Sequence, residues 1–430
     1  MQFLSCQSPD FKAAFRALCC RPGYPPEIEK SVATIVHAVR QEGDAALFRF
    51  AKEFDHAVLN RKNMRVSKAE MAAAEKAVSS ENKRAIREAL RHIRSFAKER
   101  IPQPWHYSPR PGVLLGEKFV PMDRVGVYIP GGTAPLVSTV LHTAGIAAAA
   151  GVKEIVGCTP AKNGKVHPEV LFAMKCAGIT EIYKLGGVYG VAAMACGTES
   201  IAKVEKIVGP GNAYVTAAKK LVYGGVAIDM VAGPSEIMVV ADSTADPDFI
   251  AADLLSQAEH GSGLEQAVLV STSRALFAKV EAALKKQKAS LPRLATVDKV
   301  LKKGTFFIHA RTLSEAAEVA NAYAPEHLEL QVKDPRKLAK EIRACGAVFL
   351  GKWTPEPIGD FCAGPSHVLP TAGSAHYFAG LSVEAFFRRM SLVQYSEKAV
   401  KEEAPIAAKF AAMEGLAAHG RSAMIRREKQ

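Results

Sequence analysis

No stretch of this 430-residue chain reaches the roughly 18 consecutive apolar residues that cross a bilayer. The nearest, around Gly145 to Val152, is alanine-rich and broken by glycine. The first residues, MQFLSCQSPDFKAAFRALCC, hold no basic leader followed by an unbroken apolar run, because Asp10 and Lys12 interrupt them. A cytoplasmic protein with no membrane contact is the expectation. C-x-x-C spacing is also missing from the eight cysteines (Cys6, Cys19, Cys20, Cys158, Cys176, Cys196, Cys345 and Cys362). That excludes a cysteine zinc site and leaves reduced structural thiols. The net charge is +13, yet no basic run is interleaved with aromatics, and Lys and Arg cluster only briefly at 83–100, 285–288 and 426–429. Nucleic acid is therefore not an expected partner, and attraction for an anionic cofactor is the milder reading of the charge. A full G-x-G-x-x-G is absent too, as is an acidic residue at the usual distance for a ribose hydroxyl.

What the chain does have is length and apolar content, 48% hydrophobic residues, enough for two or three domains with sizeable cores. Residues 27–100 carry apolar positions at three-and-four spacing (Ile28, Val32, Ile35, Val36, Val39) and a charged complement, which predicts helices. From Val125 the pattern becomes strand, glycine turn, helix: VGVYIPGG, KEIVGCTP, EIYKLGG and VEKIVGPGN each precede a helical segment. A second run of the same grammar starts at EIMVVAD and continues through QAVLVSTS, GTFFIHA and GAVFLGK. Parallel neighbours need crossover helices, so the fold class expected is α/β, two Rossmann-like doubly wound parallel-sheet domains with helical N-terminal and C-terminal extensions. The boundaries expected are 1–25 for the first extension, 26–124 with 236–380 for one α/β domain, 125–235 for the other, and 381–430 for a helical, charged tail suited to packing on another subunit.

Several residues carry chemistry. Glu326 and His327, at the mouth of a predicted strand in APEHLEL, offer two proton acceptors of different basicity; alone, such a dipeptide equally suits a solvated loop. Glycine turns at Gly131-Gly132, Gly186-Gly187 with Gly190, and Gly209-Pro210-Gly211-Asn212 are suited to phosphate at helix N-termini. Gln257 and His260 stand three apart on a predicted helix and could share a ligand, although a histidine near a helix end also serves as a dipole partner. Asp360 and His367 flank the turn-rich PEPIGDFCAGPSHVLPT, and His419 follows Glu414 on the tail. Imidazole, carboxylate and amide oxygen together suit zinc, but these residues are too far apart in sequence for spacing to establish a site.

Taken in order, GGTAPLVSTVLHTAG, KIVGPGNAYVTAAK, IDMVAGPSE, LLSQAEHG, APEHLEL, GAVFLG, SHVLPT and EGLAAH resemble histidinol dehydrogenase over nearly the whole chain. The resemblance implies an NAD-dependent homodimer with one zinc per subunit and intertwined tails, which oxidises L-histidinol through the aldehyde to L-histidine. It places zinc ligands on Gln257, His260 and Asp360, in the domain of 26–124 and 236–380, and on His419 of the tail, and the acid-base pair on Glu326 and His327. Further substrate contacts fall on Ser235, His367 and Glu414, shared with the metal ligands and the dyad. Cofactor contacts, assigned to the 125–235 domain, fall on Tyr128, Asn212 and Tyr189; the last stands where the family usually has Gln, and Ser366 stands where it often has Asn.

The chemistry implied needs two hydride transfers. His327 as base takes the alcohol proton, water adds to the aldehyde with Glu326 as activator, and the hydrated aldehyde loses a second hydride. A zinc and NAD enzyme of the same superfamily acting on another polar alcohol, such as a sulfonated diol, is the alternative. Glu414, suited to an amine or imidazole, favours histidinol.

Overall fold

The computed structural model describes residues 1–21, 23–131 and 135–428, which form three sheets flanked by helices. Gly132, part of the first glycine turn, lies outside the described residues, as do Thr133 and Ala134 of the motif that follows it. Strands Arg124–Tyr128, Glu154–Cys158, Glu181–Tyr183, Lys206–Val208 and Ala227–Ile228 pair in parallel in the spatial order third, second, first, fourth, fifth. Every residue of Arg124–Tyr128 is buried, as a central strand covered by crossover helices on both faces must be. The order reverses between Arg124–Tyr128 and Lys206–Val208, and the carboxyl ends of strands at such a reversal are where sheets of this kind bind ligands.

The second sheet repeats the plan. Glu236–Ala241, Gln266–Ser271, Thr305–His309, His327–Gln331 and Ala347–Leu350 take the same third-second-first-fourth-fifth order, all parallel. The two doubly wound sheets agree with the expected fold class.

Three assignments made from sequence need correction. The opening segment is not only helical: Gln2–Ser5 is an edge strand of the second sheet, parallel to Thr305–His309, and the helix Phe11–Cys19 follows it. Four residues are too few to display a period of two. Helices Pro26–Glu42, Asp44–Phe54, Lys68–Ala77 and Ser80–Lys98 form as the apolar spacing predicts, but they pack on the first sheet rather than the second. Val36 and Leu47 share a core with Val156 and Tyr183, and Ile86, Leu90 and Ile93 share one with Val125 and Leu141. An apolar stripe says that a helix face is covered, not which sheet covers it.

The tail, thirdly, begins with a strand. Phe387–Tyr395 pairs antiparallel along all nine residues with Val113–Pro121, which in turn pairs with Trp105–Arg110. Helices Glu397–Met413 and Ala417–Glu428 follow and pack on one another. Apolar side chains stay uncovered on both parts of this region: Trp105, Tyr107 and Val393 on the sheet, Ile406, Phe410 and Met413 on the helix. No helix among the described residues is long and apolar enough to cross a membrane.

Candidate active site

The site is built at the amino ends of Glu236–Ala241 and His327–Gln331, neighbouring strands between which the order of the second sheet reverses. Helix Leu313–Tyr323 stops at Ala324, whose left-handed φ of 50° and following Pro325 forbid another turn. That sharp exit delivers Glu326 and His327 directly onto the start of the strand, both buried.

One main-chain unit holds both of them. The Glu236 N–H donates to Glu326 Oε2 at 2.9 Å, while the Glu236 carbonyl lies 3.0 Å from His327 Nδ1. A carbonyl only accepts, so Nδ1 carries a proton and Nε2 is the reactive nitrogen. Ser235 Oγ donates a second, short hydrogen bond to Glu326 Oε2. Glu236 is itself fixed by the Arg21 guanidinium, 2.6 Å from its carboxylate, and Arg21 lies over the Tyr323 ring.

Asp360 sits in a π-helical turn, Gly359–Ala363, that continues the short helix Glu356–Ile358. The wider turn swings its carboxylate to 3.2 Å from His327 Nε2. Glu356, which the sequence reading did not single out, approaches the same nitrogen at 3.9 Å. His327, Glu356 and Asp360 together could hold a metal ion. Burial opposes charge on His327, but Glu326, Asp360 and Glu356 outweigh it and push its pKa up to about 10. Burial likewise opposes ionisation of Asp360, yet its hydrogen bond to His327 holds the carboxyl well below the usual range. Burial raises Glu326, and raises Glu356 to about 8 with help from the neighbouring Asp360 charge. So concentrated an acidic cluster is suited to a cation.

Gln257 and His260 join the same neighbourhood, though not on one helix face as expected. The helix ends at Ala258, and His260 lies in the turn beyond it, with its Nδ1 3.5 Å from Gln257 Nε2. The Gln257 Oε1 atom is buried without a hydrogen-bond partner among the described residues, an oxygen donor in wait of a ligand. His367 donates from Nδ1 to the Asp360 carbonyl at 3.0 Å. Ser235, Glu326, His327, Asp360 and His367 are thus assembled, with Gln257 and His260 beside them.

Glu414 and His419 are not brought in. Glu414 caps the helix Glu397–Met413, His419 lies on the next helix, both are exposed, and neither makes a described contact with the cluster. The cofactor candidates sit elsewhere, at the carboxyl ends of the first sheet. Tyr128 ends its central strand, and its hydroxyl accepts from the Gly187 N–H at 2.9 Å. Asn212 is exposed and caps helix Ala213–Val222 through 3.1 Å bonds to the N–H groups of Tyr214 and Val215. Gly209, with φ of 123°, lies so close to Tyr128 that a Cβ would fall 2.1 Å from its carbonyl oxygen. Tyr189 departs from expectation: it is buried among core side chains, and its hydroxyl donates to Asp55. An apolar core with a carboxylate at its rim suits a tyrosine there, and the side chain offers no open face to a cofactor.

Residues 24–427 match the family model described as histidinol dehydrogenase. The chain belongs to the histidinol dehydrogenase family. A histidinol dehydrogenase from Symbiobacterium thermophilum is 45% identical over 408 residues, 94% of this chain and 92% of that protein. One from Neisseria meningitidis is 43% identical over 430 residues, covering 99% and 100%. The crystal structure of histidinol dehydrogenase from Elizabethkingia anophelis superposes with a TM-score of 0.94 at 37% identity, covering 100% of this chain and 98% of that one. As a family member the chain is an NAD-dependent oxidoreductase of histidine biosynthesis. The alternative of a dehydrogenase for a sulfonated diol finds no support in these comparisons.

Proposed function

We propose that this site oxidises L-histidinol through L-histidinal to L-histidine, with His327 Nε2 as the base for both hydride transfers and Glu326 as the activator of water. The observation that carries this reading is the double hold of the Glu236 main chain, which commits Nδ1 and leaves Nε2 facing Asp360 and Glu356.

Each oxidation needs an oxygen bearing negative charge to expel hydride. His327 takes the alcohol proton in the first step, and the electron pair left on oxygen forms the aldehyde carbonyl as hydride passes to NAD. The aldehyde has no such proton. Glu326, held through Oε2 by Ser235 and Glu236, directs Oε1 at a water, whose addition gives a hydrated aldehyde. Once Nε2 has passed its first proton to solvent and a second NAD has replaced the NADH, His327 takes a hydroxyl proton from that hydrate, and transfer of the second hydride to this NAD leaves the carboxylic acid. General-base assistance of this kind is worth about 10² to 10⁴ in rate.

The donor set suits zinc: the unpartnered Gln257 oxygen, the His260 imidazole and the Asp360 carboxylate supply three N and O donors. Gln257, His260 and Asp360 would hold the ion, which would supply a positive centre for orienting a nitrogen-bearing substrate. Asp360 engaged in that way would no longer favour the protonated form of His327, whose Nε2 would then serve as the base. A fourth donor, His419, comes in this reading from a second copy, since the uncovered apolar side chains of 387–413 suit burial in a homodimer with exchanged tails. Glu414 arrives with it and faces the substrate amine. Tyr128 and Asn212 meet NAD at the carboxyl ends of the first sheet, where the turn at Gly209 and the helix N-terminus favour phosphate. The chain acts in the cytoplasm.

The test is NADH formation with L-histidinol before and after treatment with a chelator, and after zinc is returned. Loss on chelation and recovery with zinc supports the reading; full activity in a metal-free preparation overturns the metal assignment.

A further inference from the structure

The helix Val137–Ala149 follows the strand that ends in Tyr128, so it belongs to the cofactor side of the molecule. Its first two turns nevertheless reach the substrate side at three points. Thr139 Oγ1 lies 3.4 Å from His367 Nε2. The ring of His142 stacks on that of His367, with centroids 4.5 Å apart and planes inclined by 23°. The main-chain carbonyl of His142 accepts from Ser366 Oγ at 3.0 Å, and the same hydroxyl accepts from the Val368 N–H at 3.2 Å. Thr139 and His142 are both fully buried.

Neither ring nitrogen of His142 makes a hydrogen bond of good geometry among the described residues, but the main-chain groups of Phe361 and Pro365, in the loop that carries Asp360 and His367, approach it. Packing in an apolar helix does not require an imidazole. A flat ring parallel to His367 accounts for its place: it fixes the plane of the His367 ring, while Thr139 and the Asp360 carbonyl fix its two edges. Because Nδ1 of His367 faces a carbonyl, that nitrogen carries the proton. Nε2 is then an acceptor with a single lone pair, held in line by the long Thr139 contact until an N–H or O–H of the substrate displaces it.

We propose that Thr139 and His142 are positioning residues that fix the plane and in-plane angle of the His367 ring, and through it set the affinity for the substrate. The proposal rests on the reading of His367 as a substrate contact. Holding an acceptor within a narrow range of angles matters because a hydrogen bond weakens steeply off axis. The serine at 366 ties the loop to the same helix turn, so ring and main chain are registered together.

The test is steady-state kinetics of the zinc-loaded enzyme carrying Thr139→Val, Thr139→Ser, His142→Leu, His142→Phe or His367→Ala. Thr139→Val and His142→Leu should each raise the KM for L-histidinol about tenfold, the worth of one hydrogen bond or ring contact, while the KM for NAD stays unchanged. Thr139→Ser restores the hydroxyl and His142→Phe restores the ring face, so both should recover the wild-type KM. A parallel loss in both KM values and in kcat, with no recovery in the conservative variants, would mean that the helix serves only as scaffold and would overturn the proposal. So would an unchanged histidinol KM in Thr139→Val and His142→Leu when His367→Ala raises it. If His367→Ala itself leaves the histidinol KM unchanged, it is the assignment of His367 that fails.

Discussion

The Nδ1 atom of His327 lies 3.0 Å from the main-chain carbonyl of Glu236, and this contact decides which nitrogen does the chemistry. A side-chain partner could rotate away, but a carbonyl in the central strand of a six-stranded sheet cannot. The neighbouring N–H of the same residue grips Glu326, so acid and base move as one body. His327→Asn keeps the size and the Nδ1-side donor but offers no base. It should slow oxidation of histidinol and of histidinal alike by about 10² to 10⁴, measured as single-turnover NADH formation from each substrate.

The acidic cluster predicts a dependence of stability on pH in metal-stripped protein. Folded His327 holds its proton up to about pH 10, whereas an unfolded histidine releases it near pH 6.5. The folded chain therefore binds more protons between these values, and the stability this confers is present below about 6.5 and lost as pH rises toward 10. Glu356, raised to about 8, has the same sign. The Tm of chelator-treated protein should fall steadily across this range; a flat or rising profile would show that His327 is not charged in the metal-free fold.

On the cofactor side, Lys219 and Asp229 form a buried ion pair at 2.5 Å, and each also holds the glycine turn: Lys219 donates to the Gly209 carbonyl at 2.9 Å, and Asp229 accepts from the Gly209 N–H at 2.8 Å. Lys219→Met leaves an uncompensated buried carboxylate, which costs about 3 to 5 kcal/mol. Denaturant unfolding should register that loss, and the KM for NAD should rise while the KM for histidinol is spared.

Exchange of tails predicts complementation. Mixed dimers of inactive His419→Ala and inactive His327→Asn contain one site in which both residues are intact. Activity should return once subunits exchange; no recovery after demonstrated exchange would place His419 in the site of its own chain.

The two parallel sheets were legible because each strand, such as EIMVVAD or QAVLVSTS, is an apolar run ended by a turn. What stayed hidden was of other kinds. The partner of Gln2–Ser5 lies three hundred residues away, and pairing at that distance leaves no local trace. The strand Phe387–Tyr395 is exposed along most of its length, so burial imposes no alternation on its sequence. Within the site, Glu326 and His327 stood out as a carboxylate beside an imidazole at a strand mouth and Asp360 by its turn-rich segment, motif resemblance supplied their roles, and the structure brings them together. Glu356 escaped because a carboxylate in a proline-rich turn has no periodic neighbour, and only the π-helical turn after it reveals its proximity to His327. His142 escaped because it occupies an otherwise apolar helix, where spacing alone makes it a core residue. Tyr189 looked like a cofactor contact by position in its motif, while its burial beside Asp55 depends on a helix more than a hundred residues earlier.

The division of labour between His327 and Glu326 is tested most directly by Glu326→Gln under single-turnover conditions. The amide keeps the hydrogen-bonding length but cannot deprotonate water. Fed L-histidinol with excess NAD, this variant should release one NADH at close to the wild-type rate and then stall with histidinal accumulated, and fed histidinal it should be slow from the start. An equal loss in both half-reactions would contradict the account, because it would mean that Glu326 only holds His327 or the substrate in place.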